Sequence, residues 1–338
     1  MKGDLSPFKR AIARDKPELS KEAPMPDSII IGAAIVDIPL SPVTPDIITA
    51  HSTPLERITM GLGGDAANEA LVLARLGHAP ALVSVVGDDA PGDFVCRVLT
   101  RAGVDTRAVS VREGLDTSIN VVLVRPDGER GFISSRSGSM RQMGLSDILP
   151  ALDTPALSGA RIACLASLFI SSRLSLDDTQ ALFDALKARG LTLCADTTLP
   201  KCGETLREAA AALSRLDYFF PNLHEASALT GERDPDAVAD ALLDCGIRHV
   251  ALKLGGRGCL LASRDERHHI PAVPGVRCVD TTGAGDTFAG GFIAALLEGR
   301  PFADCGRFAC AAASLCVETV GATAGKWTRE DVELRLKM

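Results

Sequence analysis

The stretch Asp280-Thr281-Thr282-Gly283-Ala284-Gly285-Asp286-Thr287-Phe288 carries the densest chemistry in this 338-residue chain. After it, Phe288, Phe292, Ile293, Leu296 and Leu297 recur at helical spacing up to Gly299. The N–H groups of Gly283, Ala284 and Gly285 therefore lie at a helix N-terminus, where a nest of amides and the positive end of the helix dipole bind an anion, most often phosphate. A carboxylate at Asp286 would repel that anion. It belongs there if it accepts a proton from a hydroxyl attacking the phosphate. The plain alternative is a glycine turn in which Asp286 only complements the dipole.

Two other glycine-rich stretches invite phosphate readings. Gly61-Leu62-Gly63-Gly64-Asp65-Ala66 fits G-x-G-x-x-A, a dinucleotide fingerprint, but it does not follow the first buried strand directly and lacks the acidic residue that should end a second strand. A better reading is that these glycines admit a polyhydroxylated ligand to the backbone, with Asp65 and Asn68 offering hydrogen bonds and Asp37 binding adjacent hydroxyls from the other side. Gly321-Ala322-Thr323-Ala324-Gly325-Lys326 misses the P-loop spacing by one residue and has Trp327 in place of Ser or Thr. Asn222 and Glu225, three apart at a strand end, would hold a hydrated Mg²⁺ beside triphosphate oxygens, or else simply start a helix.

These residues need a frame. Ser28 to Ala34 is a continuous apolar run, as in a buried central strand, with Asp37 just beyond it. Ala81 to Val86 and Arg161 to Ala166 read as further strands, as do Leu191 to Ala195, Tyr218 to Phe220, His249 to Lys253 and Cys259 to Ala262. Helices are expected after Asn68, over Pro91 to Ala102, over Asp177 to Ala188 and over Asp236 to Leu243, and Val276 to Val279 reads as a short strand before the nest. This alternation predicts an α/β fold with a mostly parallel sheet and helices on both faces. The segment 39–60 and the hairpin around Pro126-Asp127-Gly128 (about 112–136) predict a small β lid inserted from two places into one domain spanning 28–338.

Composition narrows the classes. A net charge of -7 leaves no footprint for nucleic acid, and no apolar run is long enough to span a membrane. The ten cysteines sit mostly in apolar runs without C-x-x-C pairs, as expected of core thiols in a reducing, cytoplasmic compartment. Residues 1–27, rich in charge and proline, read as a disordered tail without a signal peptide.

Taken together, Gly63-Gly64-x-x-x-Asn68, Asn222-x-x-Glu225 and Asp280 to Phe288 resemble the ribokinase or PfkB-type carbohydrate kinases, in the family's order and over about residues 28–335. The resemblance implies a ribokinase-like fold and transfer of the ATP γ-phosphoryl group to a sugar hydroxyl. In that scheme Asp286 is the base and the N–H groups of Gly283, Ala284 and Gly285 form the anion hole. Asp37, Gly63, Gly64, Asn68 and Asp286 would bind the sugar. Asn222, Lys253, Gly255, Gly258, Gly283 and Gly285 would bind the nucleotide, and Glu225 and Asn222 would meet Mg²⁺ through water. Asp280 and Thr282, with carbonyls near Cys316, Thr319 and Gly321, would form a site for a monovalent cation such as K⁺, and a homodimer through the lid is open to such a chain.

Two departures bear on substrate and one on the cation. Ile35 stands where ribokinase has asparagine, Leu165 to Leu168 lacks ribokinase's glutamate, and Gly325 replaces a serine at the cation site. Ribose is thereby put in question; fructose, another ketose, an acidic sugar meeting Arg136, or a nucleoside stay open, as does a binding protein without catalysis.

Overall fold

The computed structural model describes residues 24–126, 129–201, 203–322 and 324–338. Ser28–Ile31 is buried along its whole length because it lies in the middle of a nine-stranded sheet. From one edge the order is Arg267–Ile270, Cys259–Ser263, His249–Lys253, Tyr218–Phe219, Thr192–Thr197, Ile162–Leu168, Ser28–Ile31, Pro80–Gly87 and Val109–Arg112. All pairings are parallel except the two made by Cys259–Ser263. Side chains alternate across the sheet, so Ile30 packs with Phe292 and Phe308 on one face while Ile29 and Ile31 pack with Phe183 and Phe219 on the other.

The helix Ala284–Leu297 crosses one face, wedged between Asp65–Arg75 and Phe302–Cys316. Close approach demands its glycines. A Cβ on Gly290 would stand 2.8 Å from Val72 Cγ1, and one on Gly291 3.2 Å from Ala312 Cβ. This packing fixes the helix N-terminus at the carboxyl ends of the parallel strands, where open α/β sheets take their ligands.

A second, five-stranded sheet joins Ile35–Ser41, Arg57–Ile58, Gly61–Gly63, Ile119–Val124 and Arg130–Ser134. Gly61–Gly63 is thus a strand antiparallel to Ile35–Asp37, and no Rossmann turn. Asp37, beyond the end of Ser28–Ile31, lies within a strand of this sheet as register partner of Asn120. Val276 to Val279 is not a strand: Val279 is exposed and its amide bonds to the Val317 carbonyl at 2.7 Å, so the segment runs as a loop along the site. Sequence periodicity also passed over the edge strand Val109–Arg112 and the helix Leu145–Leu152.

Of the expected tail, residues 1–23 lie outside the described residues, as do Asp127 and Gly128 of the hairpin, Thr323 and Cys202. The nine described cysteines are free thiols; most are buried, whereas Cys278 is exposed. No helix among the described residues is long and apolar enough to cross a membrane.

Candidate active site

At the carboxyl ends of the central strands opens a cavity of about 540 Å³. Asp65, Asp196, Asn222, Glu225, Lys253, Gly255, Gly258, Thr281, Ala284, Gly285 and Asp286 line it, with Val273, Val276, Ala313 and Val317 as apolar wall. Most of the nucleotide-side residues anticipated from the sequence are therefore brought to one space.

Gly283 caps the helix in the left-handed region, at φ 75°. A Cβ there would lie 2.7 Å from Ala322 Cα, so glycine is required on two counts. The Ala284 N–H bonds to the Thr281 carbonyl at 3.2 Å, whereas among the described residues the amides of Gly283 and Gly285 bond to no backbone carbonyl. Of the three amides anticipated for the nest, those of Gly283 and Gly285 thus have no backbone acceptor among the described residues. A Cβ on Gly285 would fall 3.2 Å from Lys253 Nζ, which places an ammonium beside them.

Lys253 ends the strand His249–Lys253, and its Nζ donates to Asp196 Oδ1 and Oδ2 at 2.9 and 2.7 Å. Burial alone would lower its pKa, but the Asp196 and Glu225 carboxylates outweigh that and hold it above the ordinary value. Asp196 was not singled out in the sequence. Its signal was position, as an acid at the carboxyl end of a parallel strand.

Asp286 accepts a 2.6 Å hydrogen bond from Asn68 Nδ2 across 218 residues of sequence. Burial raises its pKa, opposed by that hydrogen bond and by the Lys253 charge. Asp37 lies near enough for the Asp286 charge to act on it. Burial pushes its carboxyl up to about 6, the Asn120 hydrogen bond opposing and the Asp286 charge adding. A Cβ on Gly63 would sit 2.3 Å from Asp37 Cγ, and one on Gly64 2.5 Å from the Ala33 carbonyl oxygen, so both glycines make room for backbone and carboxylate. Asp37 Oδ1, Asn68 Oδ1 and Asn120 Oδ1 are buried without hydrogen-bond partners. Such unpaired acceptors suit a ligand rich in hydroxyl donors. Asn120, from the second sheet, was missed in the sequence because nothing local marks it.

Asn222 and Glu225 form a capping box: Asn222 Oδ1 accepts from the Glu225 N–H and Glu225 Oε2 from the Asn222 N–H, each at 2.9 Å. This helix start uses only Oε2 of Glu225 in the box, and the residue lines the cavity. Burial raises the Glu225 pKa, partly offset by Lys253. Among the described residues no group of three or more His, Cys, Asp or Glu could hold a metal by itself.

Asp280 Oδ1 accepts from the Thr282 N–H and Oγ1 at 2.9 and 2.7 Å, and Oδ2 from the Gly321 N–H at 2.7 Å. Cys316 Sγ reaches the Thr282 carbonyl at 3.4 Å, and the Cys316 carbonyl accepts from the Thr319 N–H at 3.3 Å. One further ligand was not foreseen: Arg130 Nη1 lies 3.0 Å from Asp280 Oδ1.

The sequence model of the pfkB family carbohydrate kinases matches residues 25–329. The chain belongs to that family. As a pfkB-family carbohydrate kinase it is a phosphotransferase with an alcohol group as acceptor. A ribokinase from Arabidopsis thaliana is 29% identical over 345 aligned positions, covering 96% of this chain and 85% of that protein. A 2-dehydro-3-deoxygluconokinase from Bacillus subtilis (strain 168) is 28% identical over 282 positions, covering 80% and 85%. The structure of Arabidopsis thaliana ribokinase complexed with ribose and ATP superposes with a TM-score of 0.76 at 27% identity, covering 93% of this kinase and 100% of that chain. The ribokinase-like fold anticipated from the motifs is the fold of this family member.

Proposed function

We propose that this kinase uses ATP and passes the γ-phosphoryl group to a hydroxyl of a sugar or sugar-like molecule, with Asp286 as the base. The observation that carries this reading is the place of Asp286. Asp286 lines the cavity beside Gly285 and accepts from Asn68, whose Oδ1, like those of Asp37 and Asn120, is a buried acceptor without a partner. A relative solved with ribose and ATP supports the same pairing of ligands.

In the transfer, the substrate oxygen bonds to the γ-phosphorus as the bond to the β-bridging oxygen breaks, and Asp286 takes the hydroxyl proton. Its raised pKa makes it a better proton acceptor than a free aspartate. The Gly283 and Gly285 amides and the Lys253 ammonium face the charge gathering on the phosphoryl oxygens. Glu225, with Asn222 behind it, suits Mg²⁺ held partly by water and by the phosphates, because this chain offers no closed metal cage among the described residues. Bound Mg²⁺ supplies neutralisation of the β- and γ-oxygens.

The second sheet acts as a lid, supplying Asp37 and Asn120 to the sugar. Ser167, in the stretch that lacks the family's glutamate, is buried and accepts from the Ala33 N–H at 3.2 Å. Exposed Ile58, Phe132 and Ile133 on this sheet support a homodimer through the lid. Sedimentation equilibrium is expected to give twice the chain mass; a mass of one chain would remove the dimer reading.

An ADP-release screen over pentoses, hexoses, ketoses, sugar acids and nucleosides with Mg²⁺ tests the function. Stimulation by at least one sugar or sugar acid is expected. Stimulation by nucleosides alone would replace the acceptor class, and none by any compound would return the chain to a binding role.

A further inference from the structure

A monovalent cation held at Asp280 would draw on that carboxylate's charge and free lone pairs, and the residues around it leave little of either to spare. Arg130, on the strand Arg130–Ser134 of the second sheet, reaches across 151 residues of sequence to donate through Nη2 to Thr281 Oγ1, while its Nη1 lies 3.0 Å from Asp280 Oδ1. The pair is well covered, with side chains 18% and 14% exposed. Oδ1 therefore faces three donors, from Arg130 Nη1 and the Thr282 N–H and Oγ1, and Oδ2 is taken by the Gly321 N–H. Burial works against the charge of Asp280, yet the hydrogen bonds of Thr282 and Gly321 and the guanidinium hold its carboxyl below the ordinary range.

We infer that Arg130 is a positioning residue that supplies, from the lid, the positive charge a monovalent cation would otherwise bring to this loop. A planar guanidinium gripping residues 280 and 281 holds the chain entering Gly283, whose left-handed conformation sets the nest. The charge is covalently carried, so it cannot be exchanged with solvent ions. A K⁺ ion added at Asp280 would meet a guanidinium in place and be repelled.

This inference rests on the kinase reading for its kinetic consequence, and a second readout keeps it separable. Wild type, Arg130→Ala and Arg130→Lys would be compared in N-methylglucamine buffer with and without 0–100 mM KCl, by ADP release and by thermal unfolding. Wild-type turnover is expected to change less than about twofold with KCl, and its melting temperature not to respond. Arg130→Ala is expected to lose on the order of tenfold in kcat, more than in sugar KM, and to regain most of it with KCl or millimolar guanidinium; its melting temperature should rise with KCl. Arg130→Lys should keep K⁺-independent turnover. Severalfold activation of wild type by KCl overturns the inference, as does an Arg130→Ala variant equal to wild type, or one impaired alike with Arg130→Lys and rescued by neither cation. If wild type releases no ADP with any acceptor, the kinase reading fails, and the melting temperatures alone decide whether Arg130 occupies the cation's place.

Discussion

Asp286→Asn is expected to lower kcat by about 10³–10⁴-fold, the upper part of the range for a positioned general base, while ATP binding changes less than about threefold. Asparagine keeps the shape and can still accept the Asn68 hydrogen bond through its carbonyl oxygen, so the substrate pocket should stay assembled. What it loses is the ability to take a proton. The pH profile carries the same assignment. A base works deprotonated, and burial raises the Asp286 pKa, so wild-type kcat/KM should fall as pH drops through a value above that of a free aspartate. The variant's residual rate should lack that limb. Stability moves the other way, because a carboxyl with a raised folded pKa binds its proton more tightly in the folded state and so destabilises the fold once ionised. The variant should melt no lower than wild type at pH 8, which separates lost chemistry from lost folding. Turnover within tenfold of wild type would remove Asp286 from the role of base.

The sequence made the central sheet legible because its strands are continuously apolar and punctuated by helices of period 3.6. The nest was legible for a different reason: Gly283 has no substitute at φ 75° against Ala322, and such steric demands leave an identity in the sequence. What stayed hidden are partnerships made only by the fold. Asn120 opposite Asp37, Asp196 under Lys253 and Arg130 against Asp280 join residues that are far apart in the chain, and no local spacing marks them. The segment before the nest misled for a related reason. Val276 and Val279 have β propensity, yet they serve a cavity wall and a surface, and packing context overrides propensity in such short runs. Asn222 and Glu225 show the opposite case: the capped helix of the plain reading is there, and it is compatible with the proposed Mg²⁺ role because Glu225, which gives one oxygen to the box, also lines the cavity.

Lys253→Met carries the largest expected effect on stability. Its ammonium contacts both oxygens of Asp196 in a setting where the two side chains are only 12% and 5% exposed. Asp65, Glu225 and Asp286 crowd the same cavity wall. Removing the one cation leaves these carboxylates facing each other in low dielectric, and breaking a buried pair from one side costs about 3–5 kcal/mol. For a chain of this size that corresponds to a fall of roughly 4–7 °C in melting temperature. Adding Asp196→Asn to Lys253→Met takes away the carboxylate that the ammonium contacts, so the double variant should recover part of the loss, with Asp65, Glu225 and Asp286 still facing each other. Turnover should not recover with it, since the ammonium beside Gly285 would still be missing from the phosphoryl side of the nest. Differential scanning calorimetry and ADP release on the four proteins of this cycle therefore distinguish the structural role of this side chain from its catalytic one. A single variant that melts with wild type would show the pair to be energetically idle. A double variant that recovers turnover as well would show that Lys253 only neutralises Asp196, leaving the anion to the Gly283 and Gly285 amides alone.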